Sequence, residues 1–294
     1  MQLRPEYFRP FDDVYEAVTA QMKGRADRFP TEEERKWLKQ IITDFKIERD
    51  LWPHSAPLNP YRRQWARLRL RVVRLVASIF LHVSYDLPRV LAKNWPGTGE
   101  WLQGPSEPRG EWLYFELRSI FSEILSASAR RRRVTGIFAP MLCLVPLKLL
   151  DNLVVWVSLL REGAWRHGRT LAKLTPDKRA VVEQRMIEAM SFALRDVSNL
   201  PWAFTLPEPP NIRTNFAAGV PLLLMPPETF QATVFASMLI LLGVVAYASW
   251  TSLRAEKISR FVDEFGSRVE KYVELAINDP EKFAEMKERS RDLE

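Results

Sequence analysis

The chain has 294 residues, with 43 Lys and Arg against 36 Asp and Glu and a formal net charge of +7. With 47% hydrophobic residues, 10 Trp and 16 Phe, it carries far too much apolar surface for a disordered chain. The lone Cys143 excludes an intrachain disulfide and any thiol-built zinc cluster, and with only His54, His82 and His167 a histidine-rich metal centre is disfavoured.

The charge is uneven. Residues from Arg254 onward hold nine basic and eleven acidic side chains, a net −2, which leaves +9 on residues 1–250. Two basic clusters dominate: Arg62, Arg63, Arg67, Arg69, Arg71 and Arg74 on one segment, and the run Arg130, Arg131, Arg132, Arg133. A basic surface of this kind meets nucleic acid, anionic lipid or an acidic protein patch.

Residues 1–36 contain no apolar stretch of the kind that forms a signal peptide, so the start is expected to be soluble. Thr31 and Glu34 then make a capping box, and Trp37, Ile41 and Phe45 recur on one face, predicting a helix over roughly 31–49. Pro53, Pro57 and Pro60 predict an extended link. The next helix is expected from Tyr61 to about Asp86, with Leu68, Val72, Leu75, Ile79 and Val83 at helical spacing. A Gly- and Pro-rich loop over 97–110 precedes a helix over 112–127. The apolar stretch 137–160 fails as a membrane span because Pro140 and Pro146 break its first half and Lys148, Asp151 and Asn152 sit near its middle. It is expected to become a core helix from Leu147 to about Lys173. Thr175 and Pro176 start another, ending at Ser198.

Composition changes sharply beyond residue 200. Prolines at 201, 207, 209, 210, 221, 226 and 227 predict a stiff linker over 201–229. Residues 230–250, FQATVFASMLILLGVVAYASW, then run without a charge, and about 20 such residues suffice to cross a ~30 Å hydrocarbon core. The alternative for that segment is the central helix of a soluble bundle. After it, Ile258, Phe261, Phe265, Val269, Tyr272 and Val273 form a narrow apolar stripe, broken at Asp279 and Pro280. Such a tail lies on a partner helix, on the protein's own body or on the membrane surface. The expected architecture is therefore all-α. A helical bundle-like basic domain (1–200) leads through the linker to one transmembrane helix (230–250) and a charged amphipathic helical tail (251–294).

Few side chains carry chemistry. His82 and Asp86 stand four residues apart on the apolar face of their helix, where a buried carboxylate needs a partner. As a functional pair they would be two metal ligands or an acid and a base; as a structural pair they would hydrogen-bond and close a helix end before Pro88. Glu162 and His167 lie about 140° apart around their helix, so at most one of them joins the pair. Either His82, Asp86 and His167 or His82, Asp86 and Glu162 would suit one divalent metal. No other cofactor is expected, and no nucleophile elbow, phosphate-binding glycine loop or H-E-x-x-H motif occurs.

The segments HVSYDLP (82–88) and REGAW (161–165), with its continuation RHGRTLA, resemble a bacterial family of helical domains of unknown function, common in actinobacteria. The likeness spans roughly residues 60–175 and implies a compact all-helical domain with no assigned reaction. Members of that family carry an Asn-bearing helix between these two segments, where this chain has Ser119, and they lack the added span and tail.

Two functions are compatible with these features. The first is a membrane-anchored, non-enzymatic subunit or adaptor holding partner proteins at the bilayer. The second is a membrane-tethered enzyme, such as a metal-dependent hydrolase of lipid-like substrates, with a His/Asp/Glu site. Arg62, Arg63, Arg67 and Arg130–Arg133 are the expected contacts to lipid or an acidic partner; nucleic acid is disfavoured, because the core claims the apolar face of that helix. Orientation is pulled two ways. Arg254, Lys257 and Arg260 place the tail in the cytoplasm by the positive-inside rule, whereas a large basic body without a signal peptide is itself expected to stay there.

Overall fold

The computed structural model describes residues 16, 19–20, 22–52, 55–68, 71–96, 109–116, 139–198 and 256–291, with 71–72, 139–151 and 290–291 by backbone alone. The expected linker 201–229, the expected span 230–250 and Arg130–Arg133 lie outside these residues. Among the described residues the fold is all-helical, without strands.

Helix α1, Glu32–Leu51, starts on the capping box: Thr31 Oγ1 accepts from the Glu34 backbone N–H at 3.2 Å, and the Glu34 carboxylate accepts from the Thr31 N–H. Glu32, Glu33 and Glu34 in its first turn complement the helix dipole. Trp37, Leu38, Ile41 and Ile42 are buried and set its core face.

The described part of the link after α1 is compact rather than extended, with the Ser55 N–H donating to the Leu51 carbonyl at 2.9 Å. A 3-10 turn, Ala56–Leu58, runs straight into α2, Asn59–Arg67, with Pro57 and Pro60 in first-turn positions where a missing N–H costs no hydrogen bond. The helix expected over 61–86 is divided. Leu68 turns extended (ψ 125°), and α3 resumes over Arg71–Leu81. Tertiary bonds hold the two segments back to back: Tyr61 Oη donates to the Ala77 carbonyl at 2.7 Å, and Trp65 Nε1 to the Arg74 carbonyl at 3.1 Å. Both aromatics are buried, and the Arg74 guanidinium lies over the Trp65 ring at 5.3 Å.

A π turn, His82–Asp86, joins α3 to α4, Leu87–Lys93. Val73–Lys93 is long and apolar enough to cross a membrane, yet 89% of its apolar window is buried within the protein, as in a core helix. A helix, α5, is described over 109–116, and the rest of the helix expected over 112–127 lies outside the described residues.

Helix α6, Ala139–Ala172, begins eight residues before Leu147 and runs through Pro146. Pro140 sits in its first turn, where proline is tolerated, and Pro146 removes one hydrogen bond from a ladder 34 residues long. Helix α7, Pro176–Ser198, follows as expected, with the Arg179 N–H donating to the Thr175 carbonyl at 2.9 Å. Helix α8 covers 256–278, and after a break at Asp279 helix α9, Pro280–Arg291, ends the described chain.

One core joins these elements. Helix α4 lies along α6 so closely that a Cβ on Gly168 would sit 2.8 Å from Leu91 Cβ and 3.2 Å from the Pro88 carbonyl. The stripe of α8 packs on the protein's own body: Phe265 stacks on Phe80 at 5.3 Å and Tyr272 meets Phe192 at 5.4 Å. Full burial of each such side chain contributes about 1.5–3 kcal/mol.

Candidate functional site

Pro88 explains the local backbone at His82. A proline inside a helix has no N–H to donate, and its ring collides with the carbonyl four residues earlier, here Ser84. The turn widens to π geometry, with the Leu87 N–H donating to the His82 carbonyl, and the helix continues instead of ending before Pro88.

The π turn buries His82 and Asp86 together, at 3% and 1% exposure. His82 Nδ1 lies 2.7 Å from Asp86 Oδ2, and Trp52 Nε1 donates to the same oxygen at 2.7 Å. Phe45 stacks on the imidazole with centroids 3.5 Å apart, and Trp52 meets it edge-on at 5.4 Å. Burial pushes His82 below its ordinary pKa although the Asp86 hydrogen bond and charge pull upward, so the ring is neutral at pH 7. With a carboxylate as acceptor, Nδ1 is the protonated nitrogen.

A second group of charges surrounds the pair. Arg89 Nη1 meets Glu48 at 2.6 Å and faces Asp86 Oδ1 at 3.9 Å, while Nε meets Glu183 at 3.0 Å. Its guanidinium lies over the Tyr85 ring at 4.9 Å. Burial works against the charge on Arg89, yet Tyr85, Glu183, Glu48 and Asp86 together hold its pKa above the ordinary value. Glu48 is pushed up by burial and by the carboxylates of Asp86 and Glu183, against the pull of Arg89. Burial also lifts the Tyr85 phenol to about 12. The network ties α1, the π turn, α4 and α7 together.

A histidine held by a carboxylate is the arrangement of a general base. Here the ring is enclosed by Phe45 and Trp52. The neighbouring indentation, lined by Trp52, Leu58, Tyr61, Arg62, Trp65, Ser78 and Leu81, does not include it. Neither expected three-ligand set is assembled. Among the described residues no three His, Cys, Asp or Glu side chains stand close enough to hold a metal. His167 instead pairs with Glu274 of α8, Nε2 to Oε2 at 2.9 Å, and that hydrogen bond, against the opposing effect of burial, holds Glu274 down at about 2. Glu162 is half-buried on α6 and completes no set with His82 and Asp86.

The REGAW segment builds packing. Trp165 stacks on Tyr114 at 5.1 Å and meets Trp95 at 4.5 Å, while Tyr114 Oη donates to the Arg161 carbonyl at 2.7 Å. Of the arginines expected at lipid or an acidic partner, Arg62 donates to the carbonyls of Trp52 and Ser55, each at 3.0 Å, and so staples the end of α1. Arg63 and Arg67 are exposed, with Arg67 donating to Gln64 at 3.3 Å.

Sequence reasoning missed Trp52, Glu48, Arg89 and Glu183. Arg89 was findable, because it follows Asp86 by three residues on the same helical face. Glu183 meets Arg89 across 94 residues and leaves no local signal. No protein-family model, no curated protein and no solved structure matches the chain.

Proposed function

We propose that this chain is a membrane-anchored, non-enzymatic subunit or adaptor whose bundle-like helical body holds partner proteins at the bilayer. The observation that carries this reading is the sealing of the His82–Asp86 pair. Among the described residues, the side chains best suited to catalysis bind helices to one another and do not line the indentation beside Trp52. Anchoring is supported by the uncharged run 230–250 with Arg254, Lys257 and Arg260 beside it. A cytoplasmic body would turn exposed Arg63 and Arg67 toward the anionic inner leaflet or an acidic partner. Exposed apolar pairs at helical spacing, Val155 with Leu159 on α6 and Ile47 with Leu51 on α1, offer contact surfaces for other subunits.

The π turn favours a second reading, because that geometry recurs at functional sites. In it, His82 is the base of a membrane-tethered hydrolase acting on lipid-like substrates, with Asp86 orienting it. Carbonate extraction and metal analysis of the detergent-purified protein test both readings. The adaptor reading expects resistance to extraction and no stoichiometric metal. A stoichiometric metal that His82→Ala removes would overturn it in favour of the enzyme, and release by carbonate would remove the anchor from either.

A further inference from the structure

Helices α6 and α8 run parallel in a constant register. Asn152 Nδ2 donates to Ser259 Oγ at 2.6 Å, Trp156 Nε1 to Asp263 Oδ1 at 2.8 Å, and His167 Nε2 meets Glu274 Oε2 at 2.9 Å, each pair 107 residues apart. The shared register extends from 152 to 167 on α6 and from 259 to 274 on α8, 15 steps of about 1.5 Å or about 22 Å of helix. A Cβ on Gly266 would lie 2.4 Å from Trp156 Cδ2, so the indole packs directly on the α8 backbone at that glycine and fixes the register. Further links reach α7: Tyr272 Oη donates to Asp196 at 2.8 Å, and Lys287 meets Glu188 at 2.7 Å. Phe261, Val262, Phe265, Val269, Val273 and Ala276 are buried in the same core as Phe80 and Val157.

Such a docked tail conflicts with a single crossing by residues 230–250. One crossing would place residues 22–198 and 256–291 on opposite sides of a ~30 Å hydrocarbon layer, where none of these contacts could form. A return crossing by residues 199–229 fails on sequence: seven prolines with Glu208, Arg213 and Glu228 cannot keep a backbone hydrogen-bonded in hydrocarbon. We infer that body and tail lie on the same side of the membrane, with the apolar segment inserted from that side and not separating them. This rests on the membrane reading of residues 230–250.

The inference also resolves the opposed orientation rules. Arg254, Lys257 and Arg260 assign the tail to the cytoplasm, and a basic body without a signal peptide is expected there too. When the two are docked, both rules select one arrangement.

Paired single-cysteine labelling of the full chain tests the inference. In a Cys143→Ser background, Lys178→Cys at the start of α7 and Glu281→Cys at the start of α9 each replace an exposed side chain. A membrane-impermeant maleimide is applied to intact cells and to inside-out vesicles, with carbonate extraction of the same vesicles. Both positions are expected to be silent in cells and labelled in inverted vesicles, from protein that resists extraction. Labelling of both from outside also upholds the shared side. Labelling of one position in cells and the other only after inversion, from extraction-resistant protein, overturns the inference and leaves the anchor standing. Release by carbonate overturns the inference together with the membrane reading beneath it.

Discussion

Two histidines pair with carboxylates in this protein, and the pairs differ in every respect that governs their energetics. His82 and Asp86 lie within one helical turn and are 3% and 1% exposed. His167 and Glu274 meet across 107 residues, with the histidine 7% and the glutamate 42% exposed. In the first pair burial dominates, and it drives the histidine toward neutrality. In the second the hydrogen bond dominates, and it drives the glutamate toward ionisation. A histidine paired with a carboxylate thus keeps a neutral ring in one place and holds its glutamate ionised in the other. Solvent access makes the difference.

Asp86→Ala should break the first pair with the largest effect. It removes the acceptor of both His82 Nδ1 and Trp52 Nε1, and each orphaned buried donor costs about 1–3 kcal/mol. Denaturant unfolding should show a clearly lowered midpoint; an unchanged midpoint would mean that water reaches the pair. Gly266→Leu should break the second pair indirectly by forcing Trp156 aside, at about 1–3 kcal/mol for overpacking. Limited proteolysis should then cleave within 256–278 sooner than in wild type, and equal cleavage times would mean that the helices can spread.

Acid should separate the pairs by pH. The folded pKa of His82 is depressed, so below about 6.5 the unfolded chain takes up a proton that the folded chain refuses, and stability falls as pH drops. Glu274 is also depressed, from 4.5 to about 2, so its contribution is complete above 4.5 and is lost as pH falls toward 2. Stability measured against pH should therefore decline in two windows, the upper one abolished by His82→Gln. A single decline below pH 4.5 in wild type would place His82 in a solvated site. The smallest effect belongs to Glu274→Gln. Its carboxylate is more than a third exposed, so the loss at pH 7 should stay below about 1 kcal/mol, while the lower acid window flattens. A double-mutant cycle with His167→Ala measures the coupling.

Local signals in the sequence were faithful where local physics decides. Thr31 with Glu34 marked the start of α1, Thr175 with Pro176 marked α7, and the four-residue spacing of His82 and Asp86 placed both in the core. Other features depend on distant groups. The break at Leu68 interrupts a continuous apolar periodicity, because Tyr61 and Trp65 find their acceptors on α3. Pro146 reads as a breaker, yet its helix continues past it into turns packed on α4 and α8. Pro88 reads as a terminator and instead widens a turn. Half of the charge network was equally hidden, because Glu48 and Glu183 reach Arg89 across 41 and 94 residues.

The docking of α8 on α6 has a consequence for how the chain matures. During synthesis, residues 22–198 leave the ribosome with Phe80, Trp156, Val157 and Phe192 awaiting partners that are more than 100 residues, or most of 100, further along. Contacts so distant in sequence form late and slow the approach to the native state. Until residues 256–278 emerge, that nascent body presents an apolar face of the kind that chaperones shield and that drives aggregation. Completion of the core therefore waits for residues 256–278, which are synthesised after every one of their partners in residues 22–198.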